Sequence, residues 1–167
     1  MNTVNVKVTL NGKPFEAQVD ARTLLLDFVR EQASLTGAKR GCNEGKCGSC
    51  TVIMDGVTVK SCNVLAARAD GTTLETVESL GTPQALHPIQ ASFHEHHGLQ
   101  CGYCTSGFLL TAKHLLHTGC PADPEVVREA VHGNICRCTG YQKIIESIVE
   151  VLKKGKKGES HGKALRS

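Results

Sequence analysis

Residues 41–62 read GCNEGKCGSCTVIMDGVTVKSC, and this stretch decides the fold. Cys42, Cys47 and Cys50 form a C-x4-C-x2-C run, and Cys62 follows after eleven more residues. Gly41 precedes the first cysteine, and Gly45 and Gly48 lie between the first three, the composition of a loop whose backbone approaches a ligand closely. Past Cys50 the pattern changes. TVIM (51–54) and VTVK (57–60) flank Asp55-Gly56, a hairpin signal that delivers Cys62. The same pattern appears upstream, where VNVKVTL (4–10) and PFEAQV (14–19) flank Asn11-Gly12. Between the hairpins, Asp20 to Thr23 offer caps for a helix over 23–33 with Leu24, Leu25, Phe28 and Val29 on one face. A last strand is expected near 73–77. The order ββαββ, with the loop after the helix, predicts a small mixed sheet packed on one helix.

From about residue 83 the period changes from two to 3.6. Helices are expected over 86–97, 107–117, 124–132 and 141–153. Asp123-Pro124 supplies an N-cap and first position, Gly119 and Gly133 fall where helices stop, and Ile144, Ile145, Ile148, Val149 and Leu152 make one apolar stripe. This half reads as a four-helix bundle, so the whole chain is expected to be α+β. The boundary near 78–84 gives domains over 1–80 and 81–154. A basic tail over 155–167, with little to bury, is expected to be disordered.

A second four-cysteine set lies in the helical half: Cys101 and Cys104 (C-x2-C), then Cys136 and Cys138 (C-x-C). Eight of the nine cysteines thus fall into two sets with different spacings. The first spacing is that of a plant-type [2Fe–2S] site. In the second set, Cys104 and Cys138 each come just before an expected helix. Helix starts present unpaired N–H groups and a positive dipole end to an anionic centre. C-x2-C pairs also occur in zinc sites, so from spacing alone the second set suits either zinc or an iron–sulfur cluster. An odd cysteine count and no apolar leader point to a reducing, cytoplasmic setting and away from disulfides.

Charge excludes one class of partner. The chain carries a formal +3, but residues 153–167 hold six Lys/Arg against one Glu, which leaves residues 1–152 at about −2. The basic character belongs to the tail, and no nucleic-acid face is expected. No stretch approaches the ~20 apolar residues of a membrane span. Cys120, in a Gly-Cys-Pro turn, stands outside both sets and reads as a half-buried packing residue. His94, His96 and His97 read as the polar end of a helix capped by Gly98. Gln100, next to a cysteine in a tight loop, reads on its own as a brace for that loop.

GCNEGKCGSCTVIMDG (41–56), Cys62, LQCGYCTSG (99–107) and GNICRCTGY (133–141) together resemble the iron–sulfur subunit of the molybdenum hydroxylases. That family includes xanthine dehydrogenase, aldehyde oxidoreductases, aerobic carbon monoxide dehydrogenase and 4-hydroxybenzoyl-CoA reductase. The resemblance runs from about residue 4 to 153. It implies a β-grasp ferredoxin domain followed by a four-helix bundle, each holding one [2Fe–2S] cluster. Cys42, Cys47, Cys50 and Cys62 would hold the first, and Cys101, Cys104, Cys136 and Cys138 the second. It also implies a large molybdopterin-binding partner subunit, and an FAD-binding medium subunit or other acceptor. Gln100 and Cys138 match the positions that lie against the pterin. Ser106 departs from the family's usual proline and is expected to cap the following helix. The chain is short for a molybdopterin domain and has no G-x-G-x-x-G after a strand, so no catalytic residue is expected on it. The implied role is an electron-transfer subunit of an oxidoreductase. A free-standing two-cluster ferredoxin is the alternative, and a zinc-stabilised module the third.

Overall fold

Both expected hairpins form, because Asn11-Gly12 and Asp55-Gly56 take the left-handed backbone of a two-residue turn. Their φ values are 49° and 78° in the first and 49° and 81° in the second. The computed structural model describes residues 2–162, with side chains as far as residue 155. Strand β1 (Thr3–Leu10) pairs antiparallel with β2 (Lys13–Asp20), and β3 (Thr51–Met54) with β4 (Val57–Lys60). The short β5 (Thr73–Glu75) joins the hairpins, parallel to β1 and antiparallel to β3, giving the order β2-β1-β5-β3-β4. β5 stops two residues before the expected end. The Thr76 N–H turns aside to donate to Asn11 Oδ1 at 2.8 Å, and Asn11 Nδ2 donates to Thr76 Oγ1 at 2.9 Å.

The helix expected over 23–33 is shorter and mixed: α1 (Leu25–Asp27) runs into a π-helical turn, Phe28–Gln32. Leu24 lies outside it and forms an isolated bridge with Leu65. Leu25, Leu26, Phe28 and Val29 are all fully buried and pack with Val6, Val8, Val52 and Leu74 of the sheet.

The remaining helices are α2 (Pro88–Glu95), α3 (Thr105–His117), α4 (Pro124–Ala130) and α5 (Gln142–Gly162). Asp123 caps α4 as expected, accepting from the N–H groups of Glu125 and Val126. His87 caps α2 in a reciprocal box with Gln90. The stripe Ile144, Ile145, Ile148, Val149 and Leu152 is buried against Ile89, Phe93 and Phe108, a core separate from that under the sheet. α5 continues to Gly162, past residue 155 where the tail was expected to begin, and residues 163–167 of that expectation lie outside the described residues.

Two local readings change. The left-handed residue after α2 is His97 (φ 56°), not Gly98. Gly98 is there for space: a Cβ on it would come within 2.7 Å of Ser147 Oγ and 3.1 Å of Phe93 Cδ1. Ser106 does not cap α3. Cys104 holds the N-cap position, and Ser106 is the second helical residue, buried, with no hydrogen-bond partner for its hydroxyl among the described residues. A proline is well suited to the first turn, where N–H groups lack intrahelical acceptors, and an unmet buried hydroxyl is unfavourable. Ser106→Pro is therefore expected to stabilise the chain by about 1 kcal/mol, or roughly 3 °C in thermal unfolding. A lower Tm would show that the pyrrolidine ring does not fit there.

Candidate metal centres

The first cysteine set is held by the loop between the π-helical turn and β3. Cys42, Cys47 and Cys50 lie on that loop, and Cys62 comes from a 3-10 turn, Ser61–Asn63, directly after β4. Amide groups point at sulfur. Cys42 Sγ accepts from the N–H groups of Cys47 and Glu44 at 3.3 and 3.4 Å, and Cys47 Sγ accepts from Cys42 N–H at 3.4 Å. Gly41 is required here, because a Cβ on it would stand 2.6 Å from Cys47 Sγ. Cys50 and Cys62 are buried, with their sulfurs 3.3 Å apart. The N–H donors of Cys47 and Glu44 bring the Cys42 thiol down to about 7, and burial pushes Cys50 up to about 11.

The second set gathers the start of α3 and the loop between α4 and α5. Cys101 and Cys138 are exposed, with sulfurs 3.5 Å apart. Cys104 is half-buried and Cys136 is buried. Burial, then the neighbouring Cys136, pushes the Cys104 thiol up to about 12. Burial works against Cys136 as well, yet the Thr139 hydroxyl (3.1 Å) and nearby N–H groups hold it below the ordinary thiol value. The Tyr141 hydroxyl accepts from Cys136 N–H at 3.0 Å and fixes the loop. Of the two expected helix starts, α3 begins directly after Cys104, whereas α5 begins four residues after Cys138.

The two sets meet. The N–H of Ile135, next to Cys136, donates to the carbonyl of Cys47 at 2.8 Å. Buried Asn134 donates through Nδ2 to the carbonyl of Gly48 at 3.3 Å, and accepts from Thr111 Oγ1 of α3 at 3.0 Å. Gly107 presses so closely that a Cβ on it would meet the Gly48 carbonyl oxygen at 2.2 Å. Tyr103, between Cys101 and Cys104, donates its hydroxyl to the carbonyl of Arg40 at 2.7 Å. Lys60 of β4 donates to Thr51 Oγ1 at 3.1 Å, and its ammonium also faces Gly133. Burial pulls the Lys60 pKa down while the four thiols of the first set act to raise it.

The donors fit a binuclear cluster. The thiols stand in twos, Cys50 with Cys62 and Cys101 with Cys138, at separations far above the ~2.05 Å of a disulfide. Among the described residues no three His, Cys, Asp or Glu groups converge on the space of a single ion. Paired thiols with amide donors aimed at sulfur suit two metal atoms bridged by sulfide, whose negative charge the N–H groups offset. His94 and His97 are exposed at the end of α2, and Cys120 sits half-buried against the helical core. Gln100 is exposed beside the exposed Cys101. Asn134, Thr111, Tyr103 and Lys60 have no sequence signal of their own. Only adjacency to a ligand motif marks Tyr103 and Asn134, and Thr111 and Lys60 read as ordinary helix and strand residues.

Residues 8–80 match the family described as "2Fe-2S iron-sulfur cluster binding domain", and residues 76–149 the family described as "[2Fe-2S] binding domain". The chain is 50% identical over 153 residues to the 6-hydroxypseudooxynicotine dehydrogenase complex subunit beta of Paenarthrobacter nicotinovorans, covering 91% of this chain and 96% of that one. It is 42% identical over 158 residues to the aldehyde oxidoreductase of Megalodesulfovibrio gigas, covering 92% of this chain but only 17% of that much longer one. Among solved structures it is similar to quinoline 2-oxidoreductase from Pseudomonas putida 86, with a TM-score of 0.89 and 43% identity over 95% of this chain and 99% of that one.

Proposed function

The chain belongs to the family of iron–sulfur subunits of the molybdenum hydroxylases, and from that premise we propose how its residues serve the electron transfer that is the family's task. It is an electron-transfer subunit of an oxidoreductase complex. Cys42, Cys47, Cys50 and Cys62 hold one [2Fe–2S] cluster, and Cys101, Cys104, Cys136 and Cys138 hold the other. Each bound cluster takes up and releases one electron at a time, which is the cofactor's own chemistry. The chain positions the two sites, buries the inner thiols and supplies N–H donors. The observation that carries this reading is the hydrogen bond from Ile135 N–H to Cys47 O at 2.8 Å. It joins a residue of the first set to the neighbour of a residue of the second, so a bonded route links the two sites.

The exposed end of the second set, Cys101 and Cys138 with Gln100, is the face toward a large molybdopterin-binding subunit. The first site then serves an FAD-binding subunit or another acceptor. The length relation to the aldehyde oxidoreductase supports such an arrangement, since there the matching segment is one part of a longer chain. The sheet order and the two separate cores support a β-grasp domain over 1–80 and a four-helix bundle over 81–154. No helix among the described residues is long and apolar enough to cross a membrane. The cytoplasm is the compartment we assign, because an odd cysteine count with eight of nine in two four-thiol sets suits a reducing setting.

Metal and acid-labile sulfide analysis, with electron paramagnetic resonance after dithionite reduction, tests the ligand assignment. Two distinct centres are expected, and zinc in place of iron or a single signal would reject it. Purification from the native source separates the subunit from the free-carrier alternative, since the subunit brings a large molybdenum-containing chain with it. Gln100→Ala is expected to leave both signals intact yet slow reduction of the second centre by substrate in the assembled enzyme. Unchanged stopped-flow kinetics with a fully loaded molybdenum site would return Gln100 to a loop role.

A further inference from the structure

We infer that Lys60 is a fixed cation, held between the two cluster loops, that raises the reduction potential of the first centre. The inference rests on the ligand assignment proposed above. Lys60 is the last residue of β4, two before Cys62, and it does not extend into solvent as a strand-end lysine ordinarily would. It is half-buried, and its Nζ donates at 3.1 Å to the hydroxyl of Thr51, a residue with no exposed surface. Thr51 Oγ1 in turn donates at 2.7 Å to the carbonyl of Gly48, on the loop between Cys47 and Cys50. On its other side the ammonium stands 3.5 Å from the Cβ position of Gly133, three residues before Cys136. The charge is therefore anchored by a hydroxyl relay to the first loop and lies against the second.

Reduction of a thiolate-ligated cluster adds one negative charge. A cation pinned nearby stabilises the reduced form more than the oxidised form. Water screens it less than a fully exposed ammonium, because it is half-buried and lies against Thr51 and the Gly133 loop. Lys60 stands two residues before Cys62, and its hydroxyl relay ends on Gly48 between Cys47 and Cys50, so the effect falls mainly on the first centre. Lys60 is not a member of either thiol set, and its role is one of positioning charge. In a relay whose direction depends on unequal potentials, a cation beside one site helps to set the order.

The test is a potentiometric titration of the assembled enzyme, read by electron paramagnetic resonance, for Lys60→Gln and Lys60→Arg beside the parent. Lys60→Gln is expected to lower the reduced-to-oxidised ratio of the first centre on the order of tenfold at fixed potential, a shift of about 59 mV for one electron. The second centre should move less, and Lys60→Arg should restore the parent value. Equal potentials in all three proteins, or equal shifts in Gln and Arg, overturn the inference. If Lys60→Gln and Lys60→Met lose the first signal while Lys60→Arg keeps it, the charge is needed to hold the loaded site, which upholds it. Loss in all three variants overturns it, since shape rather than charge would then matter. Absence of two iron–sulfur signals in the parent would instead sink the underlying assignment.

Discussion

Gly107→Ala is expected to disturb both metal centres at once, although Gly107 ligates neither. A methyl group there would stand 2.2 Å from the carbonyl oxygen of Gly48, 2.9 Å from Asn134 Nδ2 and 3.1 Å from the carbonyl carbon of Gly48. The nearest of these atoms is backbone, so the clash is relieved only by moving a main chain. One mover is the start of α3, which carries Cys104. The other is the loop that carries Cys47 and Cys50. Gly48 has little freedom to retreat, because its own Cβ position is 2.4 Å from the carbonyl of Gly133 and its φ is 73°. Overpacking of this kind costs about 3 kcal/mol. The expected readouts are less iron per chain and a lower unfolding temperature followed by visible absorbance. Gly155→Ala is the matching control. Its Cβ would make an ordinary contact with Leu116 at 3.4 Å inside α5, so helix propensity should stabilise by up to ~1 kcal/mol. Parent-like iron content and Tm in Gly107→Ala would show that the two halves yield without strain.

Cys42→Ser and Cys136→Ser are expected to remove one reduced-state signal each and spare the other. Cys42 is half-buried on a loop braced by its own amides, so its loss should be local. Cys136 is buried in the helical core, and its amide is bonded to the Tyr141 hydroxyl. The proposed second ligand set would tie α3 to the α4–α5 loop across more than thirty residues of chain, so losing Cys136 should destabilise the fold more. The link from Ile135 to Cys47 predicts a second-order effect: in Cys136→Ser the surviving first-site signal should change shape slightly. Loss of both signals in soluble protein from either substitution would overturn the division into two independently holding domains.

Much of this was legible in the chain because the deciding signals are local. Asn11-Gly12 and Asp55-Gly56 specify their turns by φ alone, and Asp123-Pro124 specifies a helix start by one side chain and one ring. The two cysteine spacings state where thiols cluster before any fold is known. The misreadings were also local in form but tertiary in cause. Gly98 looked like a cap and is instead a gap left for Ser147, a residue 49 positions away. Ser106 looked like a cap and is buried, because α3 starts two residues earlier, at Thr105, with Cys104 held at its N-cap. The helix expected over 23–33 is a short α-helix, Leu25–Asp27, running into a π-helical turn, Phe28–Gln32, which no local pattern in the sequence marks.

Sequence alone therefore determined the two hairpins and the start of α4, since each depends on residues a few positions apart. Only the tertiary structure decided how the two thiol sets face one another. Ile135 against Cys47, Asn134 and Gly107 against Gly48, and Lys60 against Gly133 are pairings between residues roughly 60 to 90 positions apart. Backbone carbonyls, absent side chains and one retained ammonium make them, and such partners leave no periodicity in a sequence. Their position is set by how the core under the sheet and the core between the helices close against each other.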